Sequence, residues 1–213
     1  MPPRRHREVE IKLRVDDLAA LRRKLRALGA RLRHRVHELN ILFDTPQQRL
    51  RKKGQLLRLR LEYRPGATKV PLRSLLTYKG PGLGPAGTPA PGLLPGTSNR
   101  FPHRYKVREE VETPVTEPAR LVQIFGAIGL LPSFRYEKYR ATYRLPRLRG
   151  LLVELDETPI GVFLELEGSP RLIDQASRLL GFTPGDYLLS SYAALYFDFC
   201  RRQRTPPGDM SFA

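Results

Sequence analysis

Several segments of the chain alternate between apolar and charged residues at every second position. An early segment reads Glu8-Val9-Glu10-Ile11-Lys12-Leu13, and a late one reads Phe163-Leu164-Glu165-Leu166-Glu167. This period of two is typical of a β-strand, whose side chains point alternately to opposite faces. The pattern therefore predicts strands with one apolar and one ionised face. Eight segments carry strand signals, at about residues 7–15, 36–44, 56–63, 74–79, 104–114, 135–145, 151–157 and 162–168.

Four stretches between or after these strands have the apolar spacing of amphipathic helices. Three of the stripes end at a glycine, the residue that most readily terminates a helix in the left-handed conformation. Glu10 and Glu110 precede helices that end at Gly29 and Gly129 with the same spacing, which indicates two related halves. The apolar stripes are Leu18, Leu21, Leu25 and Leu28; Leu121, Ile124, Phe125 and Ile128; Ile173, Ala176, Leu179 and Leu180; and a Tyr-, Leu- and Phe-rich segment at 187–200.

Residues 81–104 contain eleven Gly or Pro in 24 positions, which predicts an exposed loop between strands. The loop includes Gly82-Leu83-Gly84-Pro85-Ala86-Gly87, a match to the dinucleotide-binding pattern G-x-G-x-x-G. That pattern must open a helix to bind phosphate, and the prolines here prevent one. We therefore expect a single domain over residues 1–200, with 81–104 as a loop insertion and 201–213 as a flexible tail.

Composition narrows the class of protein and of ligand. The chain has 213 residues, a formal net charge of +17 and 40% hydrophobic residues, so it can form a core and attracts anions. Arginine dominates the cations, and its planar fork matches phosphate geometry. The single cysteine, Cys200, excludes an intrachain disulfide, and no apolar stretch approaches the length of a membrane span. We expect a soluble, cytoplasmic protein with no membrane partner.

The ionised strand faces carry paired carboxylates and paired cations spaced two residues apart. One interpretation is an ordinary sheet with its charged face in solvent. The other is a closed barrel, in which the charged faces line a cavity and the helices cover the apolar faces. Two neighbouring carboxylates repel unless a cation lies between them, and paired Arg or Lys calls for an anion. A polyphosphate that carries a divalent metal would satisfy both requirements.

The ordered motifs resemble the CYTH superfamily, the triphosphate tunnel metalloenzymes, over residues of about 8–197. Glu8-Val9-Glu10-Ile11-Lys12 matches its E-x-E-x-K signature, and the chain is most similar to class IV adenylate cyclases and thiamine triphosphatase-like members. The resemblance implies an α+β fold, a closed eight-stranded antiparallel β-barrel with helices packed outside. The further motifs, in family order, are Arg58-Leu59-Arg60, Thr77-Tyr78-Lys79, Arg108-Glu109-Glu110, Glu137-Lys138-Tyr139-Arg140, Leu155-Asp156-Glu157 and Phe163–Glu167.

The resemblance also implies roles for individual residues. Mg²⁺ or Mn²⁺ would suit the hard carboxylate ligands, and Lys12, Glu165 and Glu167 are the candidate catalytic residues. The candidate substrate-binding residues are Lys12, Arg58, Arg60, Lys79, Arg108, Lys138 and Arg140. The candidate metal ligands are Glu8, Glu10, Glu165 and Glu167, helped by Glu154 and Asp156, with Glu110 and Glu112 as ligands of a second metal or as groups that orient the cations.

Three functions follow from this pattern. The first is hydrolysis of a small-molecule triphosphate, such as tripolyphosphate, thiamine triphosphate or a nucleotide, by a metal-activated water. The second is an adenylate cyclase, in which a ribose hydroxyl attacks the α-phosphorus instead. The third is a non-catalytic binder of polyphosphate or RNA, which the many carboxylates disfavour. No adenine-reading motif is visible, so hydrolysis is the main prediction; nucleic acid is not the expected partner, and a homodimer is left open.

Overall fold

The computed structural model of the chain describes residues 6–67, 69–83 and 104–212. Within them, eight antiparallel strands close into a barrel with the strand order β1-β5-β4-β3-β2-β6-β7-β8, in which β8 pairs with β1. The predicted α+β fold and closed eight-stranded barrel are confirmed. The strands are His6–Val15 (β1), Arg31–Asp44 (β2), Leu56–Tyr63 (β3), Arg73–Gly82 (β4), Lys106–Pro114 (β5), Leu131–Arg144 (β6), Leu152–Thr158 (β7) and Gly161–Glu167 (β8).

The helices pack around this barrel, and each of the four predicted stripes belongs to one. Among the described residues, no helix combines the length and the apolarity that crossing a bilayer requires. The helices are Leu18–Ala27 (α1), Arg49–Lys52 (α2), Pro118–Ala127 (α3), Pro170–Leu180 (α4) and Tyr192–Gln203 (α5), with a 3₁₀ turn at Pro184–Asp186.

Some element boundaries differ from the sequence prediction. Strand β2 begins at Arg31 and not near 36. Its basic first residues pair with the end of β6 through backbone hydrogen bonds, and such pairing leaves no alternating pattern in the sequence. Helix α2 has no apolar stripe; the carboxylate of Asp44 accepts the backbone N–H groups of Leu50 and Arg51 and holds it. Helix α5 begins later than predicted, since the side chain of Ser191 caps it by accepting the N–H of Ala194.

The predicted loop over 81–104 starts later than expected, because β4 continues to Gly82 and Leu83 donates its N–H to the carbonyl of Val107. Residues 84–103 lie outside the described residues, and with them most of the G-x-G-x-x-G match. The rest of the prediction for this segment therefore stays a prediction.

The C-terminal segment makes defined contacts where a flexible tail was expected. Helix α5 extends to Gln203, and the chain then returns to β6. The N–H of Met210 bonds to the carbonyl of Arg135 at 2.9 Å, and its carbonyl accepts the N–H of Glu137 at 2.9 Å. The Met210 side chain is 1% exposed in an apolar cluster. The segment adds a short parallel bridge to β6 at Tyr136.

Two halves of the chain share one plan. The unit β1-α1-β2 is repeated as β5-α3-β6 one hundred residues later, and β2 pairs with β6 along most of their length. Gly29 and Gly129 follow the two helices with φ angles of 72° and 80°, a conformation in which side chains other than glycine are strained. This equivalence agrees with the repeat indicated by the sequence. Strands β2 and β6 are the longest strands of the barrel, with 14 residues each.

The main apolar core lies between the barrel and the helices α1 and α4. Leu13 and Leu164 contribute from neighbouring strands, and Leu21 and Ile173 contribute from the two helices. Burial of this outer strand face provides the apolar free energy that holds the helices to the barrel. The outer face of these strands is therefore covered by the core, and the charged face is directed inward.

Candidate active site

The charged strand faces surround a cavity of about 750 Å³ inside the barrel, which we call the lumen. On β1, Ile11 is 1% exposed on the core side and Lys12 is 4% exposed on the lumen side. An ordinary half-exposed sheet would leave Lys12 in solvent, so that interpretation is wrong. The predicted site residues that line the lumen are Glu8, Glu10, Lys12, Arg58, Arg60, Lys79, Arg108, Glu110, Glu112, Lys138, Arg140, Glu154, Glu165 and Glu167.

Barrel closure brings carboxylates from different strands face to face. Glu10 on β1 lies directly opposite Glu167 on β8, and Glu165 on β8 lies opposite Glu154 on β7. Like charges in directly opposed positions destabilise a sheet unless cations compensate them. The lumen therefore has an acidic wall along β1, β8 and β7 that requires positive charge.

Lysine and arginine side chains supply part of that charge. The ammonium of Lys79 donates to both carboxylate oxygens of Glu8, at 2.7 and 2.6 Å, and it also pairs with Glu110 at 3.1 Å. Lys12 pairs with Glu165 at 3.0 Å. The interpretation that paired carboxylates here need a metal between them was therefore incomplete, because internal lysines compensate several of them.

Two acidic groups on this wall stay ionised without a metal. Burial opposes the ionisation of Glu10, but ion pairs with Lys106 and Lys12 outweigh it and hold the pKa of Glu10 well below its usual range. Burial likewise opposes the ionisation of Glu165, and Lys12 and Arg140 lower its pKa in the same way. These two carboxylates are already balanced by protein cations.

Glu167 is in the opposite situation. Among the described residues it forms no ion pair, and burial together with the nearby carboxylates of Glu8 and Glu154 raises its pKa to about 8. Burial also raises the pKa of Glu154, to about 7, although Arg140 opposes this shift. The pKa of Glu8 is raised as well, by burial and by Glu10. These three acids would gain most from a bound cation.

This donor set fits a hard divalent metal. Oxygen-only carboxylate ligands are those that Mg²⁺ and Mn²⁺ prefer, and a metal charge would favour the ionised form of Glu167. Within the described ranges, no three acidic, His or Cys side chains converge into a complete protein-only metal site. A metal held by these residues would therefore take some of its ligands from a bound anion or from water.

Arginines of β3 and β5 also line the lumen. The Nε atoms of Arg58 and Arg108 are buried and have no hydrogen-bond partner in the described part of the chain. Arg58 is otherwise held by the hydroxyls of Tyr136, at 3.3 Å, and Thr77, at 3.4 Å. Arg60 reaches Glu38 at 3.4 Å and Asn40 at 3.3 Å. Guanidinium donors that stay unpaired in a buried cavity are suited to phosphate oxygens.

Glu110 and Glu112 on β5 contact side chains of the neighbouring strand β4. Glu110 pairs with Lys79 and helps to orient it. Glu112 accepts a hydrogen bond from Thr77 at 3.0 Å and lies 3.6 Å from Arg73, with its side chain 33% exposed. Among the described residues, only Glu110 of these two acids contacts a predicted substrate-binding cation, and the roles assigned to Glu110 and Glu112 stay a prediction.

Asp156 differs from the other predicted ligands, because it does not line the lumen. It is 0% exposed and accepts four hydrogen bonds from Lys138, Arg140 and Tyr192. Three of the four bonds end on Oδ2 and one ends on Oδ1, so protein donors take most of the roughly four acceptor positions that a carboxylate offers. The structure thus separates Asp156 from the acids that face the cavity.

The predicted site left out several residues that line the lumen, among them Glu38, Lys106, Tyr136 and Tyr192. Lys106 shares the strand parity of Arg108 and Glu110 on β5, so the same alternation would have found it, whereas Glu38 lies on β2, where no site residue was predicted. Tyr136 lies two and four positions before Lys138 and Arg140 and has the same parity. Tyr192 reaches the lumen from the first turn of α5, and no strand pattern could reveal it.

Comparison with known proteins identifies the family. The CYTH domain model matches residues 6–179. A protein of Methanocaldococcus jannaschii, provisionally named as an adenylate cyclase, is 25% identical over 173 residues, which cover 81% of this chain and 83% of that protein.

Solved structures share the fold at low identity. A protein of Pyrococcus horikoshii superposes with a TM-score of 0.65 and 22% identity, covering 90% of this chain and 99% of that one. A provisionally named adenylyl cyclase from Hippeastrum, described as having a dominant triphosphatase activity, superposes with a TM-score of 0.58 and 19% identity over 94% and 97% of the two chains. With the family model covering most of its length, the chain belongs to the CYTH domain family.

Proposed function

We propose that this protein is a metal-dependent hydrolase of triphosphates bound in the lumen. The observation that carries the proposal is the division of the cavity into two unsatisfied parts. Among the described residues, Glu167 forms no ion pair and has a raised pKa, whereas the buried Nε atoms of Arg58 and Arg108 have no hydrogen-bond partner. A triphosphate with a divalent metal would satisfy both parts at once.

The chain's own residues would bind and orient the substrate. Arg58, Arg60 and Arg108 line the lumen and are the leading phosphate ligands. Lys12 and Lys79 lie at the border with the acidic wall, where they contact Glu165 and Glu8. In these positions they would neutralise the phosphate nearest the carboxylates and keep its phosphorus accessible to a water.

The acidic wall would hold the metal. We assign Glu8, Glu154 and Glu167 as the main ligands, with Glu10 and Glu165 beside them. When bound, Mg²⁺ or Mn²⁺ supplies charge neutralisation and an activated water for in-line attack on phosphorus. Burial in the barrel limits the access of bulk water and strengthens the charge interactions between protein and phosphate.

The family leaves two reaction types in view. Its members are enzymes, either adenylate cyclases or triphosphatases. The Methanocaldococcus relative carries a cyclase name, and the Hippeastrum protein is described by its triphosphatase activity. The lumen residues argue for recognition of phosphates and metal, which both reactions share, and hydrolysis requires nothing further from the site. We therefore place hydrolysis first.

The test is turnover of three substrates with product analysis. Purified protein is incubated with Mg²⁺ or Mn²⁺ and tripolyphosphate, thiamine triphosphate or ATP, and phosphate, pyrophosphate and cyclic AMP are resolved. We expect phosphate release that stops in excess chelator. Glu167→Gln should lower turnover by at least about a hundredfold, equivalent to roughly 2.7 kcal/mol of transition-state stabilisation.

A matched control is Glu117→Gln, which alters an exposed carboxylate on the α3 cap that pairs only with Arg120 in the described structure. It should leave turnover unchanged. Full activity in excess chelator, or normal activity of Glu167→Gln, would overturn the proposal. Cyclic AMP and pyrophosphate as the main products from ATP would instead establish the cyclase.

A further inference from the structure

Asp156 on β7 is a buried carboxylate that does not line the lumen. Asp156 is 0% exposed, and its oxygens are engaged on every side. Its Oδ1 accepts from Nε of Arg140 at 2.7 Å. Its Oδ2 accepts from Nη2 of Arg140 at 2.6 Å, from Lys138 at 2.8 Å and from the hydroxyl of Tyr192 at 2.6 Å. Four donors thus surround the carboxylate, and the residue has no exposed surface at which a metal could reach it.

The partner of Asp156 leads directly to the acidic wall. Arg140 uses two donors in a bidentate pair with Asp156, a geometry that fixes the plane of the guanidinium. The same guanidinium then pairs with Glu165 at 2.7 Å and with Glu154. Glu154 and Glu165 are the directly opposed acids of β7 and β8. The orientation of both carboxylates therefore depends on how Arg140 is held.

Tyr192 connects this network to a different part of the chain. It is 5% exposed, and it lies in the first turn of α5, whose N-terminus is capped by Ser191. Its hydroxyl bonds Asp156, and its ring lies beneath the ammonium groups of Lys138, at 4.8 Å, and Lys12, at 5.1 Å. A single tyrosine from a helix outside the barrel thus contacts three charged groups of the strands.

We propose that Asp156 and Tyr192 are positioning residues, which act through Arg140 to set the orientation of Glu154 and Glu165 and do not themselves bind the metal. The expected effect on turnover rests on the proposed function. The network of Asp156, Tyr192 and Arg140 is present in the protein without substrate and can be tested separately. Asp156 is thereby reassigned from candidate metal ligand to the anchor of the acidic wall.

Two readouts test the proposal. Nuclear magnetic resonance of ¹⁵N-labelled arginine side chains, with Arg140→Lys for assignment, follows the exchange of the Arg140 Nε–H in the free protein. Steady-state kinetics with tripolyphosphate give kcat, KM and the Mg²⁺ concentration for half-maximal rate. The variants are Tyr192→Phe, which removes only the hydroxyl, and Asp156→Asn.

The chain offers a matched control. Tyr187 donates its hydroxyl to Asp174 at 3.0 Å outside the lumen, so Tyr187→Phe removes the same type of bond away from the site. We expect Tyr192→Phe to speed exchange of the Arg140 Nε–H and to lower kcat about tenfold, the effect of one hydrogen bond to a charged group, with a smaller change in KM. Tyr187→Phe should change neither quantity.

The two roles of Asp156 predict opposite effects for Tyr192→Phe. If Asp156 were a metal ligand, removing a competing donor would leave the Mg²⁺ requirement unchanged or lower it, while Asp156→Asn would raise it strongly; that pair of results would overturn the proposal. Unchanged Arg140 exchange and unchanged kcat in Tyr192→Phe would overturn it as well. The exchange measurement needs no turnover, so an inactive wild-type protein would refute the proposed function and leave this test in place.

Discussion

At the scale of single residues, the lumen is organised by how each carboxylate is compensated. Glu10 and Glu165 have lysine or arginine partners that keep them ionised, whereas Glu167 has none within the described ranges and its pKa rises to about 8. All three are glutamates on lumen-facing positions of neighbouring strands. Their different chemistry comes from the groups opposite them, because a buried charge depends on its nearest partners far more than a solvated one.

The raised pKa of Glu167 predicts a pH-dependent stability. The groups that face it are Glu8 and Glu10 on β1, Glu154 on β7 and Lys79 on β4. Since the folded protein binds this proton more tightly than the unfolded chain does, the wild type loses stability relative to Glu167→Gln as pH rises from about 4.5 to about 8. In metal-free buffer at pH 8.5, we expect Glu167→Gln to be more stable by at least about 1 kcal/mol, or about 3 °C in Tm.

The measurement is thermal unfolding of both proteins in chelator, from about pH 5, near the pKa of Glu167 in the unfolded chain, to about pH 8.5, just above its pKa of about 8 in the folded protein. The Tm difference should be small at the acidic end and grow toward the alkaline end. A difference that stays constant with pH would show that the substitution acts through packing and not through the ionisation of Glu167.

At the scale of elements, α5 and the segment after it complete one side of the barrel. Strand β6 pairs with β7 only from Tyr139 onward, so its earlier part has a free edge on that side. Met210 bonds to this edge through the backbone of Arg135 and Glu137, and Asp209 accepts the N–H of Arg135 at 2.8 Å. The Met210 side chain joins an apolar cluster that also contains Tyr136 and Tyr192. The C-terminal segment thus supports two tyrosines that reach the lumen.

This contact predicts that Met210 contributes to stability. Met210→Ala removes a fully buried side chain, and such substitutions cost about 2 kcal/mol or more. We expect a fall in Tm of at least about 4 °C, measured by thermal unfolding. The exposed neighbour provides the control, since Ser211→Ala removes only a surface hydroxyl and should leave Tm unchanged. Equal Tm values for Met210→Ala and the wild type would mean that the segment is detached from β6 in solution.

At the scale of the whole molecule, the excess of positive charge lies outside the lumen, and the lumen itself is nearly neutral. The lumen is lined by 11 Lys and Arg and 9 Glu among the described residues, out of 38 basic and 21 acidic residues in the chain. Nearly all of the net charge of +17 therefore lies outside the lumen. The outer surface attracts anions without selecting among them, and selection falls to the nearly balanced interior.

Barrel closure predicts two classes of lysine. Lys12, Lys79 and Lys138 are buried in the lumen, whereas Lys52 and Lys53 are exposed at the C-terminal end of α2. In limited acylation followed by mass spectrometry, Lys52 and Lys53 should react at least about tenfold faster than the three lumen lysines, because the reagent needs an accessible neutral amine. Tripolyphosphate with Mg²⁺ should slow the labelling of the lumen lysines further and leave the labelling rates of Lys52 and Lys53 unchanged. Equal labelling of Lys12 and Lys52 would contradict a closed barrel.

The local periods of the sequence were enough to predict most of the fold. Alternation at every second residue identified all eight strands and divided each into an apolar and a charged face, and the glycines after the helices gave their ends. Parity also placed 14 predicted site residues on the face that became the lumen. These features follow from the sequence because strand and helix periods depend on neighbours in the chain.

Only the tertiary structure decided which face was enclosed and which groups met across it. Closure of β8 onto β1 set Glu10 opposite Glu167, and a shift of one residue in that register would have turned the charged faces outward. The role of Asp156 depended on Tyr192, which arrives from a separate helix, and the position of Met210 depended on a free edge of β6. Such pairings are long-range, and the pKa values that follow from them depend on distances in a buried site, which no local pattern contains.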